Sequence, residues 1–323
     1  MPSLNFNPNK FGILNKRGFL PGPSAIREYR ELPSYWQTSS VSIWDTVARE
    51  LPKLLLAGKA RKTIKLAANL VKNSDDPTSL LILLDDNKKS LNYLMRVLSF
   101  IGHAWVWEDP AKPMDYIPAG LAVMWHAVAK KLGRPPVLSY ASYTLDNWRM
   151  IEEGPIALGN IVTLQNFLGG TDEDWFILVH VAIEAEAGTI PRSIAQALKC
   201  LTKKDARGLG AHLDEIAEAE EKMYKTFLRM PERCDPYLYY TRVRPWIHGW
   251  KNNPALPNGV IYEGVEEYAG VPQKFRGETG AQSSIVPMLD AFLEIEHADT
   301  KLTSYLLEMR DYMPPGHRKF IEE

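Results

Sequence analysis

The chain has 323 residues, 45% of them hydrophobic, with 38 Lys plus Arg against 39 Asp plus Glu and a net charge of -1. That length buries one large or two modest cores, and the balanced charge gives no single-sign field to draw nucleic acid or an anionic membrane surface. Cys200 and Cys234 are the only cysteines, which excludes a disulfide framework or a cysteine-built metal cluster and fits a reducing cytoplasm.

Residues 1–42 read as an irregular lead-in, broken by Pro2, Pro8 and Pro21 and lacking the apolar stretch of a signal peptide. No apolar run approaches the roughly 20 residues of a membrane helix. From there the signal is helical almost throughout. DPTSLLILLDDNKKSLNYLMRVLSFIGHAWVW opens with Asp76 as N-cap and Pro77 at the first helical position, and Leu91, Leu94, Val97, Leu98 and Ile101 follow at helical spacing. PAKPMDYIPAG (110–120) and LGRPP (132–136) interrupt the pattern, with Arg134 disfavoured in a helix by Pro135. Over 205–230, Leu209, Leu213, Ile216, Met223, Phe227 and Met230 form a stripe that reads as core packing. KNNPALPNGVIYEGVEEYAGVPQKFRGETG (251–280) lacks periodicity, and a long loop in a compact helical protein is usually functional. Strand signals are nearly absent, and no repeat of 20–50 residues is visible. The fold class is all-α, divided into a small N-terminal helical domain with its lead-in (1–135) and a larger helical domain (136–323).

Motifs for common chemistry are missing. There is no P-loop, Rossmann glycine fingerprint, HExxH or GxSxG. The seven histidines are scattered, none three or four residues from another, so helix-borne metal chelation has little support. What remains are single residues in aromatic settings. PPVLSYASYTLDNW sets Tyr140 and Tyr143 three apart. WFILVHVAIEAEAG places His180 in one of the most apolar runs, four residues from both Phe176 and Glu184. A histidine there is either a core residue with its hydrogen bond satisfied or a pocket residue facing a ligand. YYTRVRPWIHGW groups Tyr239, Tyr240 and Arg244, with Pro245 ending or kinking the helix so that the guanidinium can reach a carboxylate. RGETGAQSS is a small-residue turn that lets a ligand approach the backbone.

Taken together, LPKLLLAG (51–58), PPVLSYASYTLDNW, FILVHVAIEAEAG, RPWIHGWKNNP, NGVIYEG, RGETGAQSS and MRDYMPPGHRKF (309–320) resemble the indoleamine 2,3-dioxygenase family over nearly the whole chain. The resemblance implies an all-helical, two-part fold, haem b with its iron in the large part, and oxidation of L-tryptophan or a related indole by dioxygen across the indole C2–C3 bond to N-formylkynurenine. It further implies a monomer that needs neither nucleic acid nor membrane.

Carried over position by position, the family pattern puts Tyr140, Tyr143 and Thr144 on the indole side. Phe176 lies near the indole ring, Tyr239 at another pocket aromatic, and Arg244 on the substrate carboxylate. Thr279 and Gly280 pass close to the substrate, and Gly280, Ala281 and Ser283 close to haem. His180 falls where animal members carry serine, which favours the pocket reading and a hydrogen bond to the indole N–H or to dioxygen. The family's iron-ligating proximal histidine lies downstream of the YMPPxHRxF motif, beyond Glu323, so no residue of this chain is expected to ligate the metal, and the resemblance implies a C-terminally incomplete member whose large domain lacks its C-terminal helices. Two alternatives stay open: a non-catalytic helical protein of the same fold without the iron ligand, and a haem enzyme for a modified tryptophan.

Overall fold

The computed structural model describes residues 6–22, 25–74, 76 and 78–323. Helix α1 (Ser39–Leu56) starts at Thr38, whose side-chain oxygen accepts the Val41 N–H at 3.4 Å. α2 (Ala60–Lys72) and α3 (Thr78–Leu84) follow. α4 (Lys88–Trp107), capped by Asn87, is buried from Ser90 onward at every residue but the half-buried Asn92. Such an all-round apolar helix belongs at the centre of a core, and α1, α2 and α5 (Ala119–Leu132) pack around it. Arg96 in its middle is neutralised by Asp146 at 3.2 Å and also donates to the Ile26 carbonyl, which ties the lead-in and the 140–146 segment to this helix.

Two short strand pairs lie beside these helices. β1 (Tyr116–Ile117) runs parallel to β4 (Ile261–Tyr262), and β2 (Trp148–Met150) pairs antiparallel with β3 (Ile161–Thr163), Trp148 opposite Thr163. α6 (Thr171–Glu186) carries Asp172, Glu173 and Asp174 in its first turn, where the helix dipole favours negative charge. α7 (Ile190–Lys203) and α8 (Ala206–Phe227) form a hairpin against it. α9 (Pro236–Leu238), α10 (Ile285–Phe292), α11 (Lys301–Met309) and α12 (Pro315–Glu322) end the chain. A main core holds Trp36, Trp44, Phe100, Trp105, Trp125 and Trp250. A second joins Phe6 and Phe19 from the lead-in to Ile190, Ile216, Met288 and Phe320.

The all-α expectation holds, and no helix among the described residues is long and apolar enough to cross a membrane. Two local readings change. The stretch from 76 is two helices, because Asp85 turns away to accept the Trp36 indole N–H and the Asn87 N–H. Asp76 does accept the Thr78 N–H at 3.0 Å, and also the Ser40 N–H at the start of α1; Pro77 lies outside the described residues. The 205–230 stripe is core only in part. Ile216 and Ala219 are buried, but Leu213 and Phe227 are exposed, and the helix stops at Phe227 before Met230. Amphipathic spacing marks the packed side, but α8 leans on α6 and α7 along only part of its length.

Candidate active site

Three segments converge beside α6. The first is the stretch after Leu138, where residues Ala141–Leu145 widen into a π-helical turn. Such a turn re-aims side chains, and it places Tyr140 and Tyr143, both buried, toward α6 and Phe100 respectively. The second is the chain from Tyr239. It passes from a π-helical turn (Tyr239–Val243) into a 3₁₀ turn (Arg244–Ile247), with the change falling at Arg244 and Pro245. Pro245 has no N–H to continue the wider turn. The third is the turn from Arg276 to Ser284.

The second and third segments cross with their backbones in contact. A Cβ on Gly249 would lie 2.1 Å from the Gly277 nitrogen, and one on Gly277 would lie 2.1 Å from the Ile247 carbonyl oxygen. Only glycine permits that approach. The crossing is closed by Glu278 N–H to Ile247 O (3.1 Å) and Trp250 N–H to Phe275 O (2.9 Å). Gln282 then spans the site: its side-chain oxygen accepts the Tyr140 N–H at 2.8 Å and its amide donates to the Gly277 carbonyl at 2.9 Å.

Glu184, buried on α6, joins the parts. One of its oxygens accepts from the Tyr140 hydroxyl (3.0 Å) and from Ser283 (2.7 Å). Burial pushes its carboxyl up to about 7, opposed by those two hydrogen bonds. Phe176 and Tyr239 stack with ring centres 4.1 Å apart, and His180 sits 4.4 Å from Phe176. The His180 Nδ1 contacts the Phe176 carbonyl at 2.7 Å. A carbonyl only accepts, so Nδ1 carries the proton. Burial holds the ring's pKa below the ordinary histidine value. The neutral ring therefore presents a bare Nε2, which lies 3.7 Å from where a Cβ on the exposed Gly280 would stand.

Six of the ten buried side-chain polar atoms without a hydrogen-bond partner among the described residues lie in this region: the Tyr143 and Tyr239 hydroxyls, Thr144 Oγ1, one Glu184 oxygen and both Glu278 oxygens. Buried polar groups are normally paired, so this concentration points to a ligand. The Tyr143 and Tyr239 hydroxyls lie near enough to perturb each other, yet neither meets hydrogen-bonding geometry. Arg244 is half-buried and forms no ion pair among the described residues. It lines an opening of about 350 Å³ with His248, Glu278 and Thr279.

Of the residues singled out in the sequence, Tyr140, Tyr143, Thr144, Phe176, His180, Tyr239, Arg244, Thr279, Gly280, Ala281 and Ser283 all fall on these converging segments. Tyr240 does not join them; it is 74% exposed on the other side of its turn. Glu278 joins them without having been singled out, although its place as a lone acid in the small-residue run RGETGAQSS marks it in the sequence.

The model of the family described as indoleamine 2,3-dioxygenase matches residues 7–323. Human indoleamine 2,3-dioxygenase 2 is 32% identical over 97% of this chain and 72% of its own length. Rat indoleamine 2,3-dioxygenase 1 is 35% identical over 86% and 66%. A 6-hydroxytryptophan 2,3-dioxygenase of Fusarium equiseti is 31% identical over 99% and 74%. The chain spans between 55% and 74% of the length of the curated relatives it matches. Because the match runs unbroken through all three converging segments, the chain belongs to the indoleamine 2,3-dioxygenase family.

Proposed function

We propose that the protein inserts dioxygen across the indole C2–C3 bond of L-tryptophan or a close relative, giving N-formylkynurenine. Enzymes of this family are haem-dependent oxidoreductases. The residues present fit one face of that group. Gly280 is exposed and offers no side chain, Ala281 and Ser283 continue a small-residue turn, and His180 stands beside it. When bound, haem supplies the iron chemistry that activates dioxygen.

The observation that carries the reading is the pairing of an aromatic wall with two unmatched polar groups of suitable kind. The stacked Phe176 and Tyr239 rings offer a flat apolar surface to an indole. The bare Nε2 of His180 can accept the indole N–H. It has no proton to offer an oxygen acceptor in this tautomer, which favours the indole over dioxygen as its partner. Arg244, cationic and without an ion pair, takes the carboxylate.

A ring-hydroxylated tryptophan is a second reading, supported by the unpartnered Tyr143 and Thr144 hydroxyls on the indole side and by the relative named for 6-hydroxytryptophan. Turnover of the full-length, haem-loaded gene product on both substrates distinguishes the two. Arg244→Ala tests the shared core of the proposal. A charge-assisted bond to a carboxylate contributes about 1.5–3 kcal/mol, so kcat/KM falls about 10- to 200-fold while haem loading is retained. The exposed Arg242 is the control. Equal damage from Arg242→Ala, or a change within about twofold for Arg244→Ala, overturns the assignment.

A further inference from the structure

We propose that Glu278 is a specificity-determining residue that receives the α-ammonium group of a zwitterionic substrate whose carboxylate is held by Arg244. The inference rests on the tryptophan reading above and adds a second charge to it. Glu278 is 3% exposed, and both of its carboxylate oxygens lack a hydrogen-bond partner among the described residues. Its backbone is fixed by the bond to Ile247 at the glycine crossing, which sets the point from which the buried side chain departs. Arg244 is near enough to act on the Glu278 charge but is not in ion-pair contact with it.

A cation and an anion are thus held apart on two crossing segments at the rim of the aromatic wall. That charge order matches an amino-acid zwitterion, with carboxylate to guanidinium and ammonium to carboxylate. An ammonium brings three N–H donors to oxygens that have none. A metal ion suits the position less well, since no group of three or more His, Cys, Asp or Glu among the described residues could hold one. Burial, opposed by Arg244, sets the Glu278 carboxyl at about 7, so an arriving cation would draw it into the ionised form near neutral pH.

The test is equilibrium binding to the full-length, haem-loaded gene product of three probes: L-tryptophan, indole-3-propionate, which lacks the amine, and tryptamine, which lacks the carboxylate. Glu278→Gln keeps the shape and removes the charge. It should weaken L-tryptophan and tryptamine at least tenfold and leave indole-3-propionate within twofold or tighter, since an anion beside Arg244 has been removed. Glu278→Asp, a second variant that keeps the charge, should retain the preference for L-tryptophan over indole-3-propionate. A uniform loss across the three probes, or unchanged L-tryptophan binding in Glu278→Gln, overturns the assignment while leaving the tryptophan reading in place. A parent protein that binds none of the three overturns both.

Discussion

Two histidines in apolar settings, His103 buried and His180 half-buried, show what separates a structural imidazole from a working one. His103 makes both of its hydrogen bonds, Nδ1–H to the Trp246 carbonyl at 2.9 Å and Nε2 from the Leu138 N–H at 3.0 Å. It is the satisfied core histidine that the apolar setting of His180 also allowed, and it locks the Arg244 segment to the start of the Tyr140 segment. His180 makes only the first of the two bonds. The open Nε2 predicts that the enzyme distinguishes L-tryptophan from its N1-methyl analogue, which has no indole N–H. A neutral hydrogen bond contributes about 1 kcal/mol, so His180→Ala should erase about a fivefold preference in kcat/KM. If His180 is only a core residue, thermal melting falls in the variant and the preference stays as in the parent.

At the scale of elements, the site is made by backbone irregularities, and this decides what the sequence reveals. Helix positions followed from apolar spacing, and Tyr140, Phe176, His180 and Arg244 stood out because polar or aromatic groups interrupt it. The two π-helical turns at 141–145 and 239–243 carry no such spacing signal, since one extra residue per turn leaves the composition unchanged. The same holds for the exposure of Tyr240 and for the crossing of Gly249 with Gly277, which depends on segments brought together only by the tertiary fold. Gly277→Ala puts a methyl against the Ile247 carbonyl; forcing the two crossing segments apart should cost about 1–3 kcal/mol and lower both Tm and kcat/KM. Gly280 behaves differently, because its Cβ would meet nothing closer than His180. Gly280→Leu should therefore leave Tm nearly unchanged yet reduce haem loading of the full-length protein at least tenfold, read from Soret absorbance per chain. Normal loading in this variant removes the turn from the cofactor face.

For the whole molecule, buried ionisable groups set a pH profile. Burial lowers His103 and His317 to about 3. The unfolded chain binds those protons near the ordinary histidine value, so stability is lost as pH falls below about 6.5. Glu173, Glu184 and Glu278 are raised by burial to about 7. The folded state holds those protons longer than the unfolded one, so this contribution is lost as pH rises from about 4.5 toward 7. His180 is lowered and Asp146 raised by burial in the same senses, so the opposing slopes overlap between about pH 4.5 and 6.5 and predict a broad stability maximum there for the ligand-free protein, with Tm falling below it and again as pH rises toward 7. A maximum above pH 7 contradicts the buried, protonated carboxyls. The second core has another kind of consequence. Phe6 stacks on Phe320 with ring centres 5.0 Å apart, and Phe11 packs on the same ring at 5.6 Å. These partners are made at opposite times. A ribosome adding about 5–20 residues per second releases α12 roughly 15–60 s after Phe6. Throughout that interval Phe6 and Phe11 lack the Phe320 ring that closes their cluster, which makes this lead-in a natural stretch for a chaperone to hold during synthesis.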